Sequence, residues 1–272
     1  MNAASPQGGP QLGGPSALPS AIGLAKETLA VLVGDGRAFL GAAMVPAAGL
    51  LVAEWLWIRF DLAGAFGMLY GVAGIVFLTA FAVACHRRVL LGIGSPTAFS
   101  VGIGAREGRY VIFMLLLVLS LIGSALALSL LATLVLGPAE DTVGDGTTGL
   151  MVVLTIVVVL FFLARLSLVL PAAAVDHEDG FGAAFRWSWR RTGPAVWRLI
   201  CAYVLVAGPV YAINWGAFIF LGEGVEDLTM RGIFTVFDTI MQFLAMAIIT
   251  VYLSVVYRRL GGMAPSVVDI EV

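Results

Sequence analysis

Charge is scarce in this chain, and the side chains that usually carry chemistry are scarcer still. Only 12% of its 272 residues are charged, against roughly a quarter in a soluble domain. Lys26 is the single lysine and no glycine-rich loop precedes it, which excludes a Walker phosphate loop. The two histidines, His86 and His177, fit no HExxH arrangement. Two cysteines, Cys85 and Cys201, are too few for a disulfide framework, so both are expected to be buried free thiols. Residues 1–19 lack the basic and apolar regions of a secretory signal. Their Gly, Pro, Ser, Ala and Gln predict a disordered tail with too little apolar surface to offset its ordering entropy, and 261–272 form a second tail.

What the chain does have is apolar length. The segments 62–85, 110–138, 146–164 and 199–222 contain no charged residue. Each is at least the ~18 residues needed to cross the hydrocarbon layer as a helix. Segments 38–58 and 233–256 match them apart from one acid each, Glu54 and Asp238. The fold class is therefore an all-α integral membrane protein, a six-helix bundle over 20–260. Its spans are expected at about 38–58, 62–85, 111–136, 147–170, 196–221 and 233–256.

The positive charge is distributed unevenly between the gaps. Lys26, Arg37, Arg87, Arg88, Arg106, Arg109, Arg165, Arg186, Arg190, Arg191, Arg198, Arg258 and Arg259 fall on one side, and only Arg59 and Arg231 on the other. Loops with a Lys/Arg excess stay in the cytoplasm, so this side and both termini are expected there, in a bacterial inner membrane. Asp61, Glu140, Asp141, Asp145, Glu223, Glu226 and Asp227 make the other side acidic. Basic residues beside spans are accounted for by orientation and lipid headgroups; nucleic acid is not an expected partner, and anionic membrane lipids are.

Three weakly similar units can be read, each a short segment on the basic side followed by a hairpin of two spans. The short segments are 20–35, 96–109 and 179–193. In the third, Phe181, Phe185, Ser188 and Trp189 share a helical face with Ala184 and Thr192, while Arg186 and Arg190 point away. Such a helix lies in the headgroup layer, with its rings in the acyl boundary or packed on span ends. Small residues at Gly67 and Gly71, Ser120 and Ser124, and Ala212 and Gly216 are expected to let spans approach closely. Pro46 and Pro209 are expected to kink the first and fifth spans.

Few motifs survive scrutiny. Gly144 through Gly149 spells GxGxxG but lies between two spans without the strand of a dinucleotide site, and is read as a turn. Asp176-His177-Glu178-Asp179 is rich in ligand atoms, yet adjacent side chains do not converge on one ion without a wrapped backbone. No metal or cofactor is expected. With both histidines placed outside the spans, nothing activates the serines and threonines within them.

The ionisable residues inside the spans carry more information, because a charge in hydrocarbon needs a partner. At ~1.5 Å per residue, Glu54, Asp238 and Asn214 fall roughly 6–10 Å from the outer end of their spans. They form one candidate polar patch. One reading is a proton or cation relay; the plainer and favoured one has both acids reach the interface or pair with Arg59 and Arg231. Arg165 sits near the inner end of span 4, where it snorkels toward Asp176 or a lipid phosphate. Arg186, Arg190, Arg191 and Arg198 extend the same surface as headgroup candidates.

From Arg165 through Pro171, Asp176 and Gly180 to Ala183-Ala184-Phe185-Arg186-Trp187-Ser188-Trp189-Arg190-Arg191-Thr192-Gly193, the chain resembles a signature of six-span bacterial inner-membrane proteins. Those are similar to the membrane domain fused to some glycerophosphoryl diester phosphodiesterases. The stretches 85–92 and 106–110 resemble companion motifs. This chain has no soluble catalytic domain, so the resemblance implies no phosphodiesterase activity. It implies a role in lipid or envelope upkeep and singles out Arg165, Pro171, Ser188 and Thr192.

The sequence thus points to a non-enzymatic, lipid-interacting, scaffolding or accessory membrane component. The alternative is a transporter or channel for a small solute or lipid that uses the Glu54, Asn214 and Asp238 patch. An enzyme ranks third.

Overall fold

The computed structural model describes residues 18–60, 65–92, 104–136, 145–175, 180–219 and 228–261, and among these nine α-helices follow one another. They are α1 (Ala21–Gly34), α2 (Gly36–Phe60), α3 (Ala65–Leu91), α4 (Ala105–Leu136), α5 (Asp145–Leu166), α6 (Val169–Ala174), α7 (Phe181–Thr192), α8 (Val196–Ala217) and α9 (Leu228–Arg259). Among the described residues there is no strand. Helices α2, α3, α4, α5, α8 and α9 are long and apolar enough to cross a membrane. Large apolar side chains cover their outer surfaces: Leu40 and Met44 on α2, Leu119 and Leu126 on α4, Ile213 and Trp215 on α8. An apolar exterior on helices, whose backbone groups bond within the helix, suits hydrocarbon, and the chain is a multi-pass membrane protein.

The spans differ from expectation at their ends. Helix α3 runs on through Arg87 and Arg88 to Leu91, which brings His86 inside the bundle, fully buried. Helix α4 starts at Ala105 and absorbs the basic residues before span 3. Glu107 caps that start by accepting from the Gly104 amide at 3.1 Å, half of a capping box. The second unit therefore has no separate amphipathic helix at 105–109, and 96–103 lie outside the described residues. Charged side chains near a helix end do not stop a helix that emerges into the interface; only the pattern of three equal units is lost. Helix α5 begins at Asp145, so 145–149 of the GxGxxG stretch are helical rather than a turn. The tails at 1–17 and 262–272, and the 176–179 cluster, lie outside the described residues.

Helix α9 is the hub. Of its apolar window 72% is buried, against 17–39% for the other five, and it packs on α1, α2, α3, α6 and α8. Ala245, Ala247, Val251, Ser254 and Val255 give it a narrow profile, which lets neighbouring backbones come close. Phe243 meets Phe81 of α3 edge to face at 5.2 Å. The Tyr252 hydroxyl donates to the Leu199 carbonyl of α8 at 2.7 Å. The small residues singled out earlier do not serve this purpose. A Cβ on Gly71 or Gly216 meets open space, Ala212 is exposed, and Ser120 and Ser124 bond back to the carbonyls of their own helix. The side chain position of Gly67 lies outside the described residues. Between two spans, a close glycine contact is at Gly49 of α2, where a Cβ would sit 2.9 Å from the Phe77 ring of α3. Pro46 and Pro209 sit within continuous helices α2 and α8.

The basic residues gather where α3, α5 and α9 end and α4 and α8 begin. Helix α1 packs across this basic face on α8 and α9. Ser20 caps it by accepting from the Gly23 amide at 3.1 Å. Leu24 and Thr28 are completely buried beneath it, and Glu27 bonds Arg258 and Arg259 at 3.3 and 2.9 Å. Asp35 pairs with Arg88 at 2.9 Å. Ile22, Leu29 and Val33 face outward.

Candidate functional site

Helix α5 ends at Leu166, and its last carbonyls have no helical partner within α5. The chain turns at Ser167 and Leu168 and restarts as α6, with Pro171 buried in its first turn, where a missing N–H costs nothing. The Arg165 carbonyl is then taken up by α7: the Ser188 hydroxyl donates to it at 2.5 Å, while the Thr192 hydroxyl donates to the Ser188 carbonyl at 2.7 Å and lies 3.4 Å from the Arg165 carbonyl. In the other direction, Arg165 Nη1 donates to the Trp189 carbonyl at 2.7 Å, in the last turn of α7. Two helix C-termini thus cap each other, and the guanidinium stands where the α7 dipole favours a cation. It also lies 4.1 Å from the centre of the Trp189 ring and 5.6 Å from that of Phe161. Gly193 completes the fit, since a Cβ there would come within 2.5 Å of Arg165 Nη1. The resemblance-marked positions Arg165, Ser188, Thr192 and Gly193 therefore form one clamp, with Pro171 at the adjoining turn.

This clamp fixes how α7 faces. Ala184, Ser188 and Thr192 are buried, and Arg186, Arg190 and Arg191 are exposed, the two-sided helix the spacing predicts. Its rings pack on span ends: Phe181 on Phe113 of α4 at 5.2 Å, Trp189 on Phe162 of α5 at 6.1 Å, and Trp187 on Tyr257 of α9 at 5.0 Å. Ala183, Arg186, Trp187, Arg190 and Arg191 line a shallow notch. Among the described residues no acid pairs with these three arginines. Arg198 is exposed at the start of α8, with one bond to the Leu18 carbonyl at 3.3 Å. Arg165 is set apart from the other four: its Nη1 is held by the Trp189 carbonyl and its guanidinium lies over the Trp189 ring, while its expected partner Asp176 lies outside the described residues.

At the opposite end of the bundle, Glu54, Asn214 and Asp238 come together with three residues that sequence spacing did not single out. Glu54 accepts from the Tyr70 hydroxyl of α3 and from Thr235 of α9, both at 3.2 Å. Asp238 accepts from Asn214 of α8 at 3.2 Å and from Gln242 one turn along α9 at 2.5 Å. Thr235, Asp238 and Gln242 share one face of α9 by their spacing, a signal available in the sequence. Tyr70 could be found only from the fold. The side chains of Arg59 and Arg231 lie outside the described residues, and so does the ion pairing expected of them.

His86 is the remaining buried polar group of note. Its Nδ1 lies 2.7 Å from Ser254 Oγ, while that hydroxyl donates to the Thr250 carbonyl at 2.8 Å. Ser254 therefore accepts from Nδ1–H, which leaves Nε2 as a bare acceptor with no partner. Cys85 is buried, but Cys201 is exposed on the outer side of α8 rather than buried. Among the described residues no three metal-ligating side chains converge. Comparison with protein-family models, curated proteins and solved structures finds no match to this chain.

Proposed function

We propose that the protein is a non-enzymatic, lipid-interacting component of a bacterial inner membrane, with both termini cytoplasmic, whose basic face holds anionic headgroups. One observation carries this reading. Arg186, Arg190 and Arg191 form an exposed guanidinium face on a helix clamped rigidly to the end of a membrane span. Planar guanidinium groups suit bidentate contact with phosphate, and Arg198 extends the surface. The resemblance to the membrane domain of glycerophosphoryl diester phosphodiesterases supports the same reading, a membrane part that serves lipid chemistry without performing it.

Near an anionic surface each Arg contributes about 1 kcal/mol. Replacing all three arginines of α7 by Gln should therefore weaken anionic lipid retention by about 3 kcal/mol, on the order of 100-fold at low salt. Mass spectrometry of lipids co-purified from phosphatidylglycerol-containing membranes measures it, and unchanged recovery defeats the reading. Reporter fusions at residues 143 and 262 test orientation: activity placing residue 143 in the cytoplasm overturns it.

A second reading, a transporter, is favoured by the two intramembrane carboxylates of α2 and α9, each bonded by neutral donors. Liposomes should then show a proton or cation flux that Asp238→Asn reduces. Identical traces from wild type, variant and empty vesicles reject it.

A further inference from the structure

A cavity of about 300 Å3 lies between α4, α5, α8 and α9. On α8 its wall runs from Leu199 to Tyr211, about 18 Å of helix at ~1.5 Å per residue. Leu199 and Ser167 stand at the basic face, and Tyr211 lies toward mid-membrane. Two polar groups of the wall are already occupied. The Tyr252 hydroxyl bonds the Leu199 carbonyl, and Ser167 donates to the Ala164 carbonyl at 3.4 Å. What faces the space is mostly aliphatic and ring carbon.

A cavity lined this way does not hold water, and left empty it forfeits the dispersion contacts of its whole lining. It is not sealed. Leu160 and Leu163 on α5 and Ile200 on α8 are partly exposed, and Tyr211 is 48% exposed, so the slot opens sideways between α5 and α8. Outside that opening the surrounding medium is hydrocarbon. Its length is close to the depth of a single leaflet, half of ~30 Å. Ser167 and Leu199 put one end of it at the basic face.

We propose that this slot binds one acyl chain of a phospholipid from the leaflet on the basic face, with its ester end beside Ser167 and Leu199 and its methyl end at Tyr211. This goes beyond headgroup attraction to the α7 arginines and stands without it. The α7 arginines act on headgroup charge, whereas the slot selects a chain.

The test uses the full chain in phosphatidylethanolamine–phosphatidylglycerol nanodiscs, with a phospholipid carrying a diazirine either at the methyl end or near the ester of one chain. After irradiation, the labelled residues are mapped by mass spectrometry. The methyl-end probe should mark Tyr211 and Tyr203, and the ester-end probe Ser167 and Leu199. Each should label several-fold above the outward-facing Leu126 and Ile240. Ala164→Trp, which fills the slot, should reduce the excess to the reference level. Ile200→Trp, placed at the partly exposed mouth, should do the same if the first variant fails to fold. Wall labelling equal to that of Leu126 and Ile240 in the wild type overturns the site. A reversed pattern of the two probes overturns the leaflet, and labelling by a diazirine fatty acid or sterol but not by the phospholipid overturns the ligand.

Discussion

Replacing Arg165 by Met keeps an unbranched apolar stem but removes the charged hydrogen bond to the Trp189 carbonyl and the stacking on the Trp189 ring. A hydrogen bond from a charged donor contributes about 1.5–3 kcal/mol. A guanidinium over Trp in a half-exposed setting adds about 0.5–1 kcal/mol. The last turn of α7 is thus held to α5 by about 2–4 kcal/mol, on the order of 30- to 1,000-fold in its opening equilibrium. Hydrogen exchange of the chain in nanodiscs reads this directly, since local openings set the protection of individual segments. Peptides covering 183–192 should lose protection by that factor, whereas peptides from the centre of α9 should not change. Arg165→Lys retains the charge without the planar stack and should fall between the two. Unchanged protection of α7 in Arg165→Met refutes the clamp, and a lysine variant equal to wild type refutes the stacking half of it.

Three further outcomes follow from the same contacts. Gly193 has ordinary helical angles, φ −47° and ψ −55°, so Gly193→Ala carries no backbone strain; it should nevertheless loosen α7 as Arg165→Met does, because the new methyl displaces Nη1, and full protection of α7 would contradict this. Ser254→Ala should lower stability by about 1–3 kcal/mol by leaving His86 Nδ1–H unpaired, while His86→Phe together with Ser254→Ala should recover most of the loss; thermal midpoints in detergent that are not ordered this way count against the inferred tautomer. For α1, Leu24→Ala should cost about 2–5 kcal/mol but Glu27→Gln about 0–1 kcal/mol, and proteolysis at the start of α2 distinguishes them: equal release of α1 by both means that the ion pairs, not burial, hold it.

The six spans and the two faces of α7 were legible because both are local signals. Uncharged length sets a span, and a 3.6-residue period separates Ser188 and Thr192 from Arg186 and Arg190. Which helix occupies the centre was not legible. The window of α5 has the highest mean hydropathy, 2.8, yet is 17% buried, whereas that of α9, at 2.0, is 72% buried. Lipid tails are as apolar as leucine, so hydropathy does not drive a helix inward, and small or hydroxylated residues that permit close packing mark the interior instead. Spacing likewise says that Gly71 shares a face with its neighbours but not that this face looks outward. Glu54, Asn214 and Asp238 could be grouped by depth alone. Tyr70 could not, because its role depends on the α2–α3 packing.

The break after Leu166 explains why residues far apart in sequence act together. Had α5 continued to residue 170, the Arg165 carbonyl would have bonded within its own helix and would not have been left for Ser188 of α7. The same break turns Ser167 and Leu170 into the wall of the α5–α8 slot at the basic face. A single helix end therefore orients the arginines of α7 at the basic face and shapes the slot one turn deeper. A clamp variant such as Arg165→Met moves that end, so it should lower acyl-chain labelling at Ser167 as well as exchange protection in α7. The glutamine variants of Arg186, Arg190 and Arg191, which leave the break intact, should alter headgroup retention alone. Labelling at Ser167 that stays constant in Arg165→Met, while α7 opens, would show that the slot is shaped by α4, α8 and α9 without help from the clamp.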